Sequence, residues 1–183
     1  MGQHSTGHIT ESRVRGKLEA LGLEVRKPTP DRGVDIIAWH PASPTRQVRI
    51  QVKGRNPTTI NTYRWFQIRV GKRQLAYARD QGHPPDFSWL RKIAKVDFLV
   101  LDAVRVDETW VFTRDQALEL IVLNELHYHS RPDNVFTYDE PLKARQKEIN
   151  LDISVKGRPL TALFEHCRDN FDPIVAFLTG EHP

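Results

Sequence analysis

Residues 49–55 read RIQVKGR, and the placement of this strand's polar side chains decides how the chain is read. Successive side chains of a strand alternate between faces, so Val48, Ile50 and Val52 share one face while Arg49, Gln51 and Lys53 share the other. The apolar face needs a core. The polar face is ordinary if it meets water and is not ordinary if it lines a site. Just upstream, VDIIAWH at 34–40 alternates Val34, Ile36 and Ala38 with Asp35, Ile37 and Trp39. Aspartate is disfavoured in strands, and here it stands between two branched apolar residues. PASPT at 41–45 reads as the longer loop of a hairpin joining the two strands. Pairing about that loop lets Asp35 approach Gln51 and Lys53.

A carboxylate and an amide oxygen are hard ligands suited to Mg²⁺, which takes one or two carboxylates, keeps waters and accepts phosphate oxygens. A lysine beside such an ion can orient or deprotonate a water and stabilise developing negative charge. That set equips a site for phosphodiester hydrolysis. Charge balance asks for a second acid, and Glu11 is the candidate. It lies on an amphipathic helix, ITESRVRGKLEALG at 9–22, whose apolar stripe is read as Ile9, Val14, Leu18 and Leu21, with Gly22 as the stop. Packing that stripe on the sheet carries Glu11 toward one sheet end.

The remaining pattern supplies the scaffold. LEVRK at 23–27 is a short strand and PTPDRG at 28–33 a turn-rich loop. RWFQIRV at 64–70 is a further strand, with helices expected over 72–81 (KRQLAYARDQ) and about 87–93 (FSWLRKI). VDFLVLDAV at 96–104 and TWVFT at 109–113 read as strands of a covered sheet. RDQALELIVLNELHYH at 114–129 is a long amphipathic helix with Leu118, Ile121, Val122 and Leu126 inward. Residues 131–148 are loop-like, INLDISV at 149–155 reads as a strand, and LTALFEHCRDN and DPIVAFLTG read as short helices. A mixed α/β (α+β) layered fold follows. The expected organisation is a core over 1–130 and an extension over 131–183 that packs on the core or forms an oligomer interface.

Composition bounds the function. The chain has 183 residues, 27% charged and 39% apolar, which suits a globular domain with a real core. No apolar run reaches the roughly 18 residues of a membrane span, and no signal peptide is expected. MGQHST fits the loose myristoylation pattern without a polybasic second anchor beside it. Cys167 is the single cysteine, which excludes an internal disulfide and favours a reducing compartment. The net charge of +4 is unevenly spread: residues 1–95 hold 18 Lys/Arg against 7 Asp/Glu, and residues 96–183 hold 9 against 16. A basic half of this kind is directed at a polyanion.

With GVDIIA at 33–38, RIQVKGR at 49–55 and TESRVRGKLEALGLEV ahead of them, the chain resembles the PD-(D/E)XK nuclease superfamily. The resemblance covers roughly residues 7–113. It implies a restriction-endonuclease-like core with a small mixed sheet flanked by helices. It also implies Asp35 as the metal-binding acid, Gln51 at the acid position of the second half-motif, Lys53 as the catalytic lysine and Glu11 as the acid of the first helix. Glu19 fits that helix pattern less well. Val34 stands where the name calls for proline. Gln51 stands where it calls for Asp or Glu, a QxK variant that leans more on Asp35 and Glu11 for metal affinity. The implied activity is a Mg²⁺-dependent DNA endonuclease, with Mn²⁺ able to substitute, acting on duplex DNA as a homodimer or higher oligomer in the cytoplasm at the nucleoid. Rival readings are a degenerate DNA-binding or assembly subunit of the same fold and an RNA-processing nuclease.

Arg55, Arg64, Arg69, Lys72 and Arg73 follow the motif closely and are candidates to neutralise phosphates. Tyr63 and Trp65 interleave with them and are candidates to stack on bases, while Phe66 and Ile68 read as strand core. A second VKGR at 155–158 has Ser154 two residues before its lysine and no GVDI-like strand ahead of it, so it reads as coincidence. His127 and His129 lie at i, i+2 on a helix and face apart, which leaves no zinc site there.

Overall fold

The computed structural model describes residues 3–29, 33–56, 63–69, 95–129 and 146–181. The helices expected over 72–81 and 87–93, together with Lys72 and Arg73, lie outside these described residues.

The hairpin forms around the two motifs. Strand β2 (Ile36–His40) runs antiparallel to β3 (Ser43–Arg55), with Ile36 opposite Ile50 and Ala38 opposite Val48. The connection is much tighter than the expected five-residue loop, because His40 pairs directly with Ser43. The surplus residues are taken up in β3 as a register shift after Trp39, where a strand tolerates Pro44. Strand β1 (Glu24–Arg26) adds antiparallel to the outer side of β2. Strand β5 (Phe98–Ala103) lies parallel to β3, and β6 (Glu108–Thr113) pairs antiparallel with β5. The result is a mixed five-stranded sheet in the order β1-β2-β3-β5-β6. All six residues of β5 are buried, as a central strand covered on both faces requires.

Helix α1 (Gln3–Ala20) covers one face through Val14 and Leu18, which pack with Ile36, Val48, Ile50, Val52 and Val100. The expected stripe is only half right. Ile9 and Leu21 are 42% and 46% exposed, and Thr10 is buried in their place. The reason is Gly54. A Cβ at that position would collide with Oγ1 and Cγ2 of Thr10 and lie 2.5 Å from its Cβ, so the helix approaches β3 where the strand has no side chain. A residue as short as Thr10 fits that contact and Ile9 turns outward. Thr10 Oγ1 donates to the Gly7 carbonyl at 3.0 Å, so its burial leaves the hydroxyl satisfied.

The other face carries the larger cluster. Helix α2 (Arg114–His129) contributes Ala117, Leu120 and Ile121, packed on Leu99, Leu101, Trp110 and Phe112. Of the expected inward residues Ile121 is buried and Leu118 packs partly against the cluster, while Asn124 is buried beside them and Val122 and Leu126 lie outside the described side chains. The strand expected over 64–70 exists as β4 (Trp65–Arg69), but it leaves the main sheet and pairs antiparallel with β7 (Gln146–Asn150). Residues 146–148, read as loop, are therefore strand. Phe66 and Ile149 bring this small sheet into the cluster, and Phe66 is core as expected.

The C-terminal segment joins both faces. A short hairpin of β8 (Ser154–Val155) and β9 (Arg158–Pro159) leads into α3 (Leu160–Leu163), which buries Leu160. Helix α4 (Asp172–Thr179) starts with a proline in its first turn and ends on Gly180 at positive φ, a common helix stop. Its Ile174 and Leu178 complete the α1 face. Cys167 is a free, buried thiol pushed up to about 11 by burial and then by Glu119, which keeps it protonated. Among the described residues no helix is long and apolar enough to cross a membrane.

The Gly54 contact predicts that Gly54→Ala costs about 1–3 kcal/mol in denaturant unfolding, because helix and strand must separate. Adding Thr10→Ala should not restore stability, since the Thr10 Cβ is itself in the way. Adding Thr10→Gly should recover part of it. Full stability in Gly54→Ala alone would show that α1 does not sit on the strand.

Candidate active site

Asp35 lies one residue ahead of the last ladder pair, and its backbone N–H donates to the Ile50 carbonyl at 2.9 Å. Its side chain turns onto β3, where Oδ2 accepts the Val52 N–H at 2.7 Å. The carboxylate is 9% exposed, so an acid is held at the end of the sheet by a main-chain donor rather than spread into water. Along β3 the polar face changes character. Arg49 at the outer end is half exposed and forms a two-pronged ion pair with Asp97, its Nε and NH2 reaching the carboxylate at 3.2 and 3.0 Å. Gln51 is 3% exposed, while Lys53 and Arg55 are half-buried. The exposed part of this strand face thus ends at Arg49.

Gln51 decides whether this end of the sheet fits a metal. The β2–β3 register, with Ile36 opposite Ile50, carries this buried amide opposite Asp35. With Asp35 it offers hard oxygen donors of the kind Mg²⁺ takes. Among the described residues no three His, Cys, Asp or Glu side chains gather as a metal cage, so any such site here relies on fewer carboxylates plus this amide.

Glu11 comes to the same end of the sheet because its neighbour Thr10 rests on Gly54, the residue after Lys53. Glu11 Oε2 accepts from Lys27 Nζ at 3.0 Å. Glu19 is exposed and faces Arg15 along the helix at 3.7 Å. The axial position of α1 is fixed by charges that the sequence pattern did not single out. Arg13 Nε donates to Asp102 Oδ2 at 3.1 Å, and Arg13 NH2 donates to Asp107 at 2.6 Å. Asp102 is fully buried and also accepts from Thr109 Oγ1 at 3.1 Å. Burial pushes the Asp102 carboxyl up, against the opposing charge and hydrogen bond of Arg13. Lys17 adds bonds to Thr109 Oγ1 at 2.7 Å and Asp169 at 2.9 Å. An aspartate inside the apolar run FLVLDA was the available signal for Asp102, the same signal that marked Asp35.

The basic residues divide. Arg64 donates from Nε and NH2 to both Glu108 oxygens at 2.6 Å each, and from NH1 to Asp152 at 2.9 Å. Its guanidinium is engaged by two carboxylates, so the residue that leads into β4 is tied to β6 through Glu108 and to the end of β7 through Asp152. Hydrogen bonds donated to Glu108 hold Arg64 well above its ordinary range. Burial pushes Glu108 up, but Arg64 outweighs it and leaves that carboxyl below its usual range. Arg55 is half-buried two residues beyond Lys53, and Arg69 lies in β4, its side chain outside the described residues.

No family model matches the sequence, and no curated protein matches it significantly. The structure does have a relative: that of a bacterial homing endonuclease, I-Ssp6803I, superposes with a TM-score of 0.51. The match covers 99% of this chain and 97% of that one at 16% sequence identity. At that identity the likeness concerns the fold. The chain has a mixed α/β core in which Gln51 and Lys53 lie on the central strand β3 and Asp35 directly precedes the neighbouring β2.

Because folded Glu108 titrates below its unfolded value, its stabilisation is complete above the ordinary glutamate range and is lost as pH falls through the folded value. Glu108→Gln should therefore cost about 1–3 kcal/mol at pH 7. The cost should shrink at an acidic pH below the ordinary glutamate range, as the wild-type carboxyl takes up its own proton. Urea unfolding of both proteins at the two pH values measures it, and an equal loss at both would assign the effect to packing instead of charge.

Proposed function

We propose that the chain is a metal-dependent DNA endonuclease of the PD-(D/E)XK type. The observation that carries this reading is the Asp35 carboxylate fixed on the Val52 N–H, with the buried Gln51 opposite it in the hairpin register. The nuclease-like fold supports it, and so does the character of the structural relative as a homing endonuclease.

Asp35, Gln51 and Glu11 would hold Mg²⁺, with Mn²⁺ as a substitute; the bound ion supplies Lewis-acid stabilisation of charge on the phosphate. The chain's own residues do the rest. The Val52 N–H orients the Asp35 carboxylate before substrate arrives, so no rotamer freedom is lost when it takes up its ligand. Lys53, on the same strand face as Gln51, directs its ammonium to the attacking water and to the negative charge that grows on the phosphate. Arg55, Arg69, Lys72 and Arg73 are the basic residues assigned to DNA phosphates, each adding salt-sensitive affinity without base selectivity. Arg64 is assigned instead to anchoring the small sheet, because its guanidinium is already paired with Glu108 and Asp152. Cutting both strands of a duplex takes two such sites, so the working form is proposed to be a homodimer or higher oligomer.

Gln51 supports one rival, a degenerate DNA-binding subunit, since a neutral amide is a poorer metal ligand than a carboxylate. Plasmid cleavage separates them. Wild type should nick and linearise plasmid in Mg²⁺ or Mn²⁺. Lys53→Ala should lower the rate by at least about 100-fold, a typical effect of losing a catalytic proton donor or acceptor, while DNA affinity stays within a few-fold. Wild type that cuts under no divalent metal removes the enzyme reading and leaves the subunit. Cleavage of structured RNA in preference to duplex DNA would move the substrate class to RNA.

A further inference from the structure

Glu11 is engaged by a cation of the chain itself. Lys27 follows β1 directly, and the β1–β2 register, with Arg26 opposite Ile37, places it beside the start of β2. That is the end of the sheet where Asp35 enters the hairpin. Lys27 Nζ lies 3.0 Å from Glu11 Oε2, and its side chain is 56% exposed. The lysine is therefore held to the helix acid by charge and not by a packed core. A divalent ion on the same oxygen, bonded at about 2.1 Å, would lie no more than about 5 Å from the ammonium. Two cations at that spacing repel, so each weakens the hold of the other on the shared carboxylate.

We propose that Lys27 is a resident counter-cation for Glu11 which a divalent metal must displace, so that Lys27 sets the metal concentration at which the site fills. This rests on the assignment of Asp35 and Glu11 as metal ligands. Lys27 takes no part in the chemistry; it competes for one ligand of the site. Its exposure places the exchange at the surface, outside the packed core. The same exposure limits its effect, because solvent and salt screen an ion pair of this kind.

The test is calorimetric titration of the DNA-free protein with Mn²⁺ at low ionic strength, comparing wild type, Lys27→Met, Lys27→Arg and Asp35→Asn. Met keeps the length of the side chain and removes its charge; Arg keeps the charge. If wild-type binding depends on Asp35 and Lys27→Met binds about three- to tenfold more tightly while Lys27→Arg binds like wild type, the counter-cation role stands. The gain should shrink at 0.5 M salt. If binding depends on Asp35 and Lys27→Met is unchanged or weaker, the counter-cation role is wrong and the metal site survives. If wild type shows no Asp35-dependent binding, the metal site and the role of Lys27 fall together.

Discussion

One hydrogen bond organises the candidate site: the main-chain N–H of Val52 donates to a side chain, the carboxylate of Asp35, at 2.7 Å. Residues Ile50 and Val52 both turn their peptide groups toward β2, and the Ile50 carbonyl is met by the Asp35 N–H. A ladder that ended there with ordinary residues would leave the Val52 N–H buried without a partner, at a cost of about 1–3 kcal/mol. Asp35 removes that cost and is fixed by it. The acid is thus required by the hairpin's own hydrogen bonding, and its orientation follows from the strand register.

The second constraint is the approach of α1 to β3. Gly54 lets the helix come close enough for Thr10 to cover the strand, and this contact carries Glu11 to the same sheet end as Lys53. Arg13 and Lys17 then secure the helix along its length, reaching Asp102, Asp107 and Asp169 on two other parts of the chain. The desolvation of Asp102 opposes folding at neutral pH, and its pairing with Arg13 and Thr109 is what makes the burial tolerable.

The parts of this architecture with local signatures were legible in the sequence. Strands β2 and β3 announced themselves by period-two alternation, and the Asp35–Gln51–Lys53 grouping followed from it. Contacts between distant segments were not legible. The inward face of α1 was misjudged at Ile9 because hydrophobicity ranks Ile above Thr, whereas the space over Gly54 selects for small size. Arg64 was read as a phosphate ligand because nothing near it in sequence shows that Glu108 and Asp152 will surround it. The pairing of β4 with β7 was invisible for the same reason: each strand is only five residues long, and its partner lies some 80 residues away.

That last pairing has a consequence for how the chain comes into being. During synthesis β4 emerges long before β7, and at about 5–20 residues per second the delay is about 4–15 s. Through that interval the edge of β4 that β7 takes up, and the apolar side chain of Phe66, await their partner, and the first face of the main sheet still lacks Ile174 and Leu178. An incomplete chain is therefore exposed to unwanted strand pairing, and the nascent protein depends on late residues to close both of its cores. Translation speed across residues 70–145 becomes a quantity that bears on yield, in a protein whose candidate metal ligands and catalytic lysine all precede that segment.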